Sequence, residues 1–211
     1  MGDLLTSEVF ADLGTLMQLI GMLDSPYVRR VAISLKCLGI SFEHRSLSVF
    51  RDFETFSRIN PIVKAPTLVT DDGTVLVDST LILQYAESLS ETSLMPKGRQ
   101  QIQALRLIGL ALMACDKTVQ IVYERTLRPA EKQHQPWLDR VTTQLQAAYA
   151  QLEQSSFTCA PLMQADLTTA IAWRFTQLYT PDIITPKAYP QLAAFSAQAE
   201  ALPAFVTTPV E

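Results

Sequence analysis

Ser25-Pro26-Tyr27-Val28-Arg29-Arg30 follows a short apolar run, Leu19 to Leu23, and leads into apolar residues at helical spacing. The pattern reads as a strand, a turn and a helix N-terminus. The first turn of a helix carries backbone N–H groups without intrahelical partners, together with the positive end of the macrodipole. An anion held there, a thiolate included, is therefore stabilised. Ser25 falls at the N-cap and Pro26 at the first helical position, where its missing N–H costs nothing. Asp78-Ser79 is a second N-cap signature, and Lys64-Ala65-Pro66 enters a strand. Each of the three also has an everyday structural use, as a cap or as the start of an edge strand. Their joint occurrence in one short stretch is what calls for a function.

Other chemistries are poorly served. The chain has two histidines, His44 and His134, neither near a Gly-x-Ser-x-Gly pattern, so a serine hydrolase lacks both its base and its nucleophile elbow. Cys37, Cys115 and Cys159 are odd in number and lack a Cys-x-x-Cys pair, which points away from a disulfide framework or a zinc site and towards a reducing, cytoplasmic compartment. No metal is expected. With 17 Lys+Arg against 21 Asp+Glu, the net charge of -4 provides no basic tract for a nucleic acid. No apolar stretch approaches a membrane span, and the first sixteen residues, acidic and free of Lys and Arg, do not resemble a secretory leader. Residues 1–16 read as an N-terminal extension without assigned function.

The elements that must position these residues alternate in the first half. Strands are expected at Gln18 to Leu23, Phe42 to Leu47, Pro66 to Val69 and Thr74 to Val77, and helices at Pro26 to Leu38, about Phe50 to Ile59, and Ser79 to Leu89. In the first helix Val28, Val31, Ala32, Leu35 and Leu38 form the apolar face, Arg29, Arg30, Ser34 and Lys36 fall off it, and Gly39 stops it. The first two strands flank a helix and should be parallel; Asp71-Asp72-Gly73 should close an antiparallel hairpin between the last two. The order β-α-β-α-β-β-α makes residues 17–89 a small α/β domain. A polar stretch at 90–98 reads as a linker, and 99–211 as an all-helical domain, with helices at about Arg99 to Arg125, Pro136 to Gln154, Asp166 to Leu178 and Tyr189 to Ala201. At 211 residues, 48% of them hydrophobic, the chain can bury a substantial core.

The order and spacing of Ser25-Pro26-Tyr27-Val28, Lys64-Ala65-Pro66-Thr67-Leu68 and Val77-Asp78-Ser79-Thr80 resemble a glutathione-binding thioredoxin-like domain. Asn60-Pro61, the Asp71-Asp72-Gly73 turn and Ile82-Leu83-Gln84-Tyr85 extend the likeness. Followed by a helical half, the chain over about residues 17–205 resembles a cytosolic glutathione S-transferase, with bacterial transferase-like proteins that begin Ser-Pro-Phe/Tyr-Val-Arg nearest.

The resemblance implies that glutathione is the co-substrate, that a small hydrophobic electrophile is the partner, and that the protein is a homodimer. It implies that the Ser25 hydroxyl donates to the glutathione sulfur and stabilises the thiolate, without itself attacking. Pro66 stands where such folds carry a cis proline, and Ala65, where the family often has valine, would offer its main chain to the cysteinyl part. Ser79 would hold the γ-glutamyl carboxylate and Asp78 its ammonium group, while Lys64 and Arg51 are candidates for the glycine carboxylate. Arg30 would support the loop or a domain interface. Asp166 matches a buried capping aspartate of the second domain, although Met163 stands where Ser or Thr is usual. Met113 and Tyr123 are candidate walls of the electrophile site, though side chains of these types at helical spacing also suit a core; Cys115 is not read as a nucleophile.

Thiol-disulfide exchange needs a sulfur where this chain has Ser25. Serine therefore points to conjugation, or to isomerisation through bound glutathione, although the zeta-type isomerases begin Ser-Ser-Cys. A glutathione-binding protein that acts by docking a partner is the remaining alternative; retention of Ser25, Pro66, Asp78 and Ser79 together argues for an enzyme.

Overall fold

The structure, a computed structural model, describes residues 16–210; apart from Leu16, the expected extension at 1–16 lies outside them. The described residues gather into two compact units, 16–92 with 208–210, and 93–207.

In the first unit β1 (Gln18–Ile20), β2 (Glu43–Arg45), β3 (Thr67–Val69) and β4 (Val75–Val77) form a mixed sheet in the order β2-β1-β3-β4. β1 runs parallel to β2, with Leu19 opposite His44, and antiparallel to β3, with Leu19 opposite Leu68. β3 and β4 make the antiparallel hairpin expected from Asp71-Asp72-Gly73. Gly73 supplies a φ of 83°, and the Asp72 carboxylate accepts from the Thr70 hydroxyl and the Thr74 N–H. These bonds hold the Asp72 carboxyl below its usual pKa.

Three helices accompany the sheet: α1 (Pro26–Cys37), α2 (Phe53–Ile59) and α3 (Ser79–Leu89). Phe56 of α2 packs with Ile20 and Val69, and α1 lies against α3. The strands are shorter than their apolar runs because β1 stops where Gly21 takes a φ of 135°. α2 begins at Phe53, not Phe50, because Ser48 and Asp52 fold the preceding residues into a turn. The Ser48 Oγ accepts from the N–H groups of Phe50 and Arg51, both at 3.2 Å, and the Asp52 carboxylate accepts from the Ser48 N–H at 2.8 Å.

The polar side of α1 also departs from expectation. Arg29, Arg30 and Ser34 are buried, and Lys36 is exposed. The guanidinium groups tolerate burial because they donate: Arg29 Nε to the carbonyl of Thr208 at 2.9 Å, and Arg30 to α3. Residues 208–210 thus join the first unit, whereas the sequence pattern places them with the helices.

In the second unit α4 (Arg99–Leu127) packs against α5 (Gln135–Glu153) and α6 (Gln164–Tyr179), and α6 against α7 (Pro190–Glu200). A short 3-10 turn, Ala130–Lys132, and α8 (Pro203–Val206) are additions that the sequence pattern did not mark. The ring of Tyr149 meets those of Trp173 and Tyr189 edge-on or tilted, and its hydroxyl lies 2.9 Å from the Ala172 carbonyl and 2.7 Å from the Thr176 Oγ1. The missing Ser or Thr at 163 does not prevent the α6 cap. Asp166 accepts from the N–H groups of Met163 at 3.0 Å and Thr158 at 2.9 Å. Among the described residues no helix is long and apolar enough to cross a membrane.

Candidate functional site

The site is built around the end of β1. Gly21 donates its N–H to the Arg45 carbonyl at 3.0 Å, and its own carbonyl lies 2.7 Å from His44 Nε2, which therefore acts as donor. A Cβ at this position would stand 2.6 Å from Val28 Cγ2 and 3.0 Å from the Ala65 Cβ. The end of β1, the first turn of α1 and the Ala65-Pro66 segment thus converge on a point where only a hydrogen fits.

From Gly21 the chain turns through Met22 to Ser25, whose N–H donates to the Met22 carbonyl at 3.2 Å. Ser25 is the α1 N-cap with extended backbone (φ -69°, ψ 122°), and its Oγ accepts from the Val28 N–H at a long 3.5 Å. That contact uses a lone pair of the half-buried hydroxyl and leaves its proton available for donation. Arg51 is exposed, with its Nη2 3.2 Å from the Met22 sulfur, so its cation borders the same loop.

The Ala65-Pro66 bond is cis. The turn before it is held by side chains: Asn60 donates to the Thr67 Oγ1 at 2.8 Å, and the Thr67 hydroxyl donates to the Lys64 carbonyl at 2.7 Å. The Lys64 side chain is exposed and directly precedes Ala65.

On α3, Asp78 is the N-cap at a φ of 71°, and its Oδ1 accepts from the N–H groups of Thr80 at 2.8 Å and Leu81 at 3.3 Å. One carboxylate oxygen is therefore committed to the helix. Ser79 is buried, and its Oγ accepts from Arg30 Nη1 at 2.9 Å. The same nitrogen donates to the Thr80 Oγ1 at 3.2 Å.

Met113 and Tyr123 belong to the second unit, and both are exposed, at 46% and 44%. This removes a core role for them, and a ten-residue separation on α4 sets them about 15 Å apart along its axis. Cys115 is buried, and burial pushes the thiols of Cys37 and Cys159 above their usual pKa, so neither of these two is poised as a thiolate. Among the described residues no group of three or more His, Cys, Asp or Glu side chains could hold a metal ion.

Residues 19–94 match the family profile "Glutathione S-transferase, N-terminal domain". The chain is 26% identical to a glutathione S-transferase of Methylobacterium radiotolerans in complex with glutathione sulfonate, with a TM-score of 0.84 over 92% of this chain and 95% of that one. Its N-terminal unit thus carries a glutathione S-transferase N-terminal domain. A glutathione transferase family member of Pseudomonas fluorescens Pf-5 with bound glutathione is 29% identical, with a TM-score of 0.81 over 92% of this chain and 99% of that one. Among curated proteins, the uncharacterized GST-like protein YibF of Escherichia coli is 32% identical over 127 residues, 59% of this chain. The match spans 62% of that relative's own length and 25% to 33% of three further transferases'.

The matched βαβαββα unit is the thioredoxin-like half of the chain. Sequence reasoning missed three of the residues that shape the candidate site. Gly21 is signalled only as the one glycine inside the run from Leu19 to Leu23, four residues before the N-cap serine. His44 was weighed as a catalytic base and set aside, yet it anchors the Gly21 carbonyl from the neighbouring strand. Thr80 has no signal in the sequence beyond following the N-cap pair Asp78-Ser79, yet its Oγ1 accepts from Arg30.

Proposed function

We propose that this transferase-family protein binds glutathione in its N-terminal unit and presents it as a thiolate to a small hydrophobic electrophile. The observation that carries the reading is the convergence at Gly21, which brings the first turn of α1, capped by Ser25, against the Ala65-Pro66 segment. Further support comes from relatives at 26% and 29% identity described with glutathione sulfonate and with glutathione bound.

In this account the Ser25 hydroxyl donates to the sulfur, and the unpaired amides of α1 add a positive field. Ala65 offers main-chain groups to the cysteinyl residue as a strand would. Ser79, at the α3 N-terminus, donates to the γ-glutamyl carboxylate, and Asp78 Oδ2 faces the ammonium group while Oδ1 keeps the cap. Arg51 and Lys64 compete for the glycine carboxylate, and the place of Arg51 beside Met22 favours it. Met113 or Tyr123 contributes apolar wall for the electrophile, since their spacing along α4 exceeds the reach of one small molecule. The protein works as a homodimer in the reducing cytoplasm, where its cysteines stay as thiols; exposed Phe50, Phe53 and Leu81 supply apolar surface for the partner subunit. The residue ranges 17–89, 90–98 and 99–207 serve as glutathione domain, linker and helical domain, with 208–210 returning to the first unit.

Calorimetry with glutathione tests the binding half of the reading. Ser79→Ala should weaken affinity by about 1–3 kcal/mol, the cost of losing a hydrogen bond to a charged group. Unchanged affinity rejects the assignment of Ser79, and no binding by the unsubstituted protein rejects the function.

A further inference from the structure

Arg30 and Ser79 are both 3% exposed, and the contact between them has a direction. A guanidinium has only donors, so Ser79 Oγ must accept from Arg30 Nη1 at 2.9 Å, and Thr80 Oγ1 must accept from it at 3.2 Å. Each hydroxyl therefore has its own proton left to give, and among the described residues no side chain or carbonyl receives either one. A hydroxyl on its own can turn to donate or to accept; with one lone pair of each taken by the guanidinium, these two are biased towards donating. They sit on the first two residues of α3, where the helix N-terminus already favours negative charge. Asp78 uses the N–H groups of Thr80 and Leu81 for its cap, which leaves the hydroxyl protons as side-chain donors for a ligand.

We propose that Arg30 is a positioning residue: it turns the protons of Ser79 and Thr80 away from its guanidinium so that the start of α3 presents two O–H donors and favours a carboxylate. Thr80 thereby becomes a second ligand contact beside Ser79. The proposal rests on the reading of this site as the γ-glutamyl end of a glutathione site. It adds that one helix, α1, serves both ends of the ligand, with Ser25 at its N-cap and Arg30 five residues further along. Arg30 acts without touching the ligand.

The test compares two ligands by calorimetry: glutathione, and the analogue in which γ-aminobutyrate replaces γ-glutamate, which keeps the amine and lacks the α-carboxylate. Arg30→Met should weaken glutathione about tenfold or more, the effect of a lost charge-assisted hydrogen bond, and change binding of the analogue less than twofold. Arg30→Lys, again a donor-only cation, should recover part of the preference for glutathione. Thr80→Val, an exposed change that keeps the fold, should reduce that preference about fivefold to tenfold and serves as the independent variant if Arg30→Met does not fold. Equal losses for both ligands in Arg30→Met would make Arg30 a structural residue only, and an unaltered preference in Thr80→Val would overturn the two-donor arrangement. Failure of the unsubstituted protein to bind glutathione would instead remove the underlying functional reading.

Discussion

At the scale of single residues, the site depends on one missing side chain as much as on those present. Gly21 combines a φ of 135° with neighbours that would meet a Cβ at 2.6 and 3.0 Å. Gly21→Ala should cost about 2 kcal/mol or more, from backbone strain and from pushing Val28 or Ala65 aside. Urea unfolding of the full chain measures this; a loss below about 0.5 kcal/mol would mean that the convergence relaxes freely. Ser25, Pro66 and Asp78-Ser79 were legible because caps and X-Pro bonds have local signatures. Gly21 and the inward direction of Arg30 were not, since both depend on what the fold brings from far along the chain: Ala65 in one case, Ser79 in the other.

At the scale of elements, helix ends were easier to read than strand ends. α3 starts where expected because Asp78 caps it, and α1 and α5 begin beside their prolines. Three-residue strands carry too little pattern to mark their own limits, and their bounds are set by Gly21 and by the hairpin. The α6 cap illustrates a compensation: Asp166 takes two backbone N–H groups although position 163 lacks a hydroxyl. Asp166→Ala should destabilise the helical unit by about 1–3 kcal/mol by leaving both donors without that acceptor. Burial of Asp166 outweighs these bonds and holds its carboxyl above the usual pKa. A raised carboxyl pKa contributes stability that is complete below the unfolded-state value and disappears as pH rises through the folded-state value. Asp166→Asn, which cannot titrate, should therefore flatten the decline of stability above pH of about 4, relative to the unsubstituted protein. Parallel pH profiles of the two proteins would assign that decline to other groups.

At the scale of the whole molecule, the two units are continuous in sequence except at the end, where 208–210 belong with the first. The composition and periodicity separated a mixed half from a helical half, but the return of the last residues has no local signal, because it is made through the carbonyl of Thr208 and the buried Arg29. A chain stopped after Thr207 should lose about 1.5–3 kcal/mol of stability in the first unit, the value of a hydrogen bond to a charged group. Hydrogen exchange localised to β1 and α1 reads that loss, and unchanged protection there would contradict it. The function proposed for the molecule reduces to the ionisation of one sulfur. Ultraviolet titration of the thiolate in the glutathione complex, with and without Ser25→Ala, measures it directly. The account predicts a bound thiol at least about one pKa unit below the free value of about 8.5, worth about 1.4 kcal/mol, and a return towards that value in Ser25→Ala. The same pKa in both proteins would contradict it.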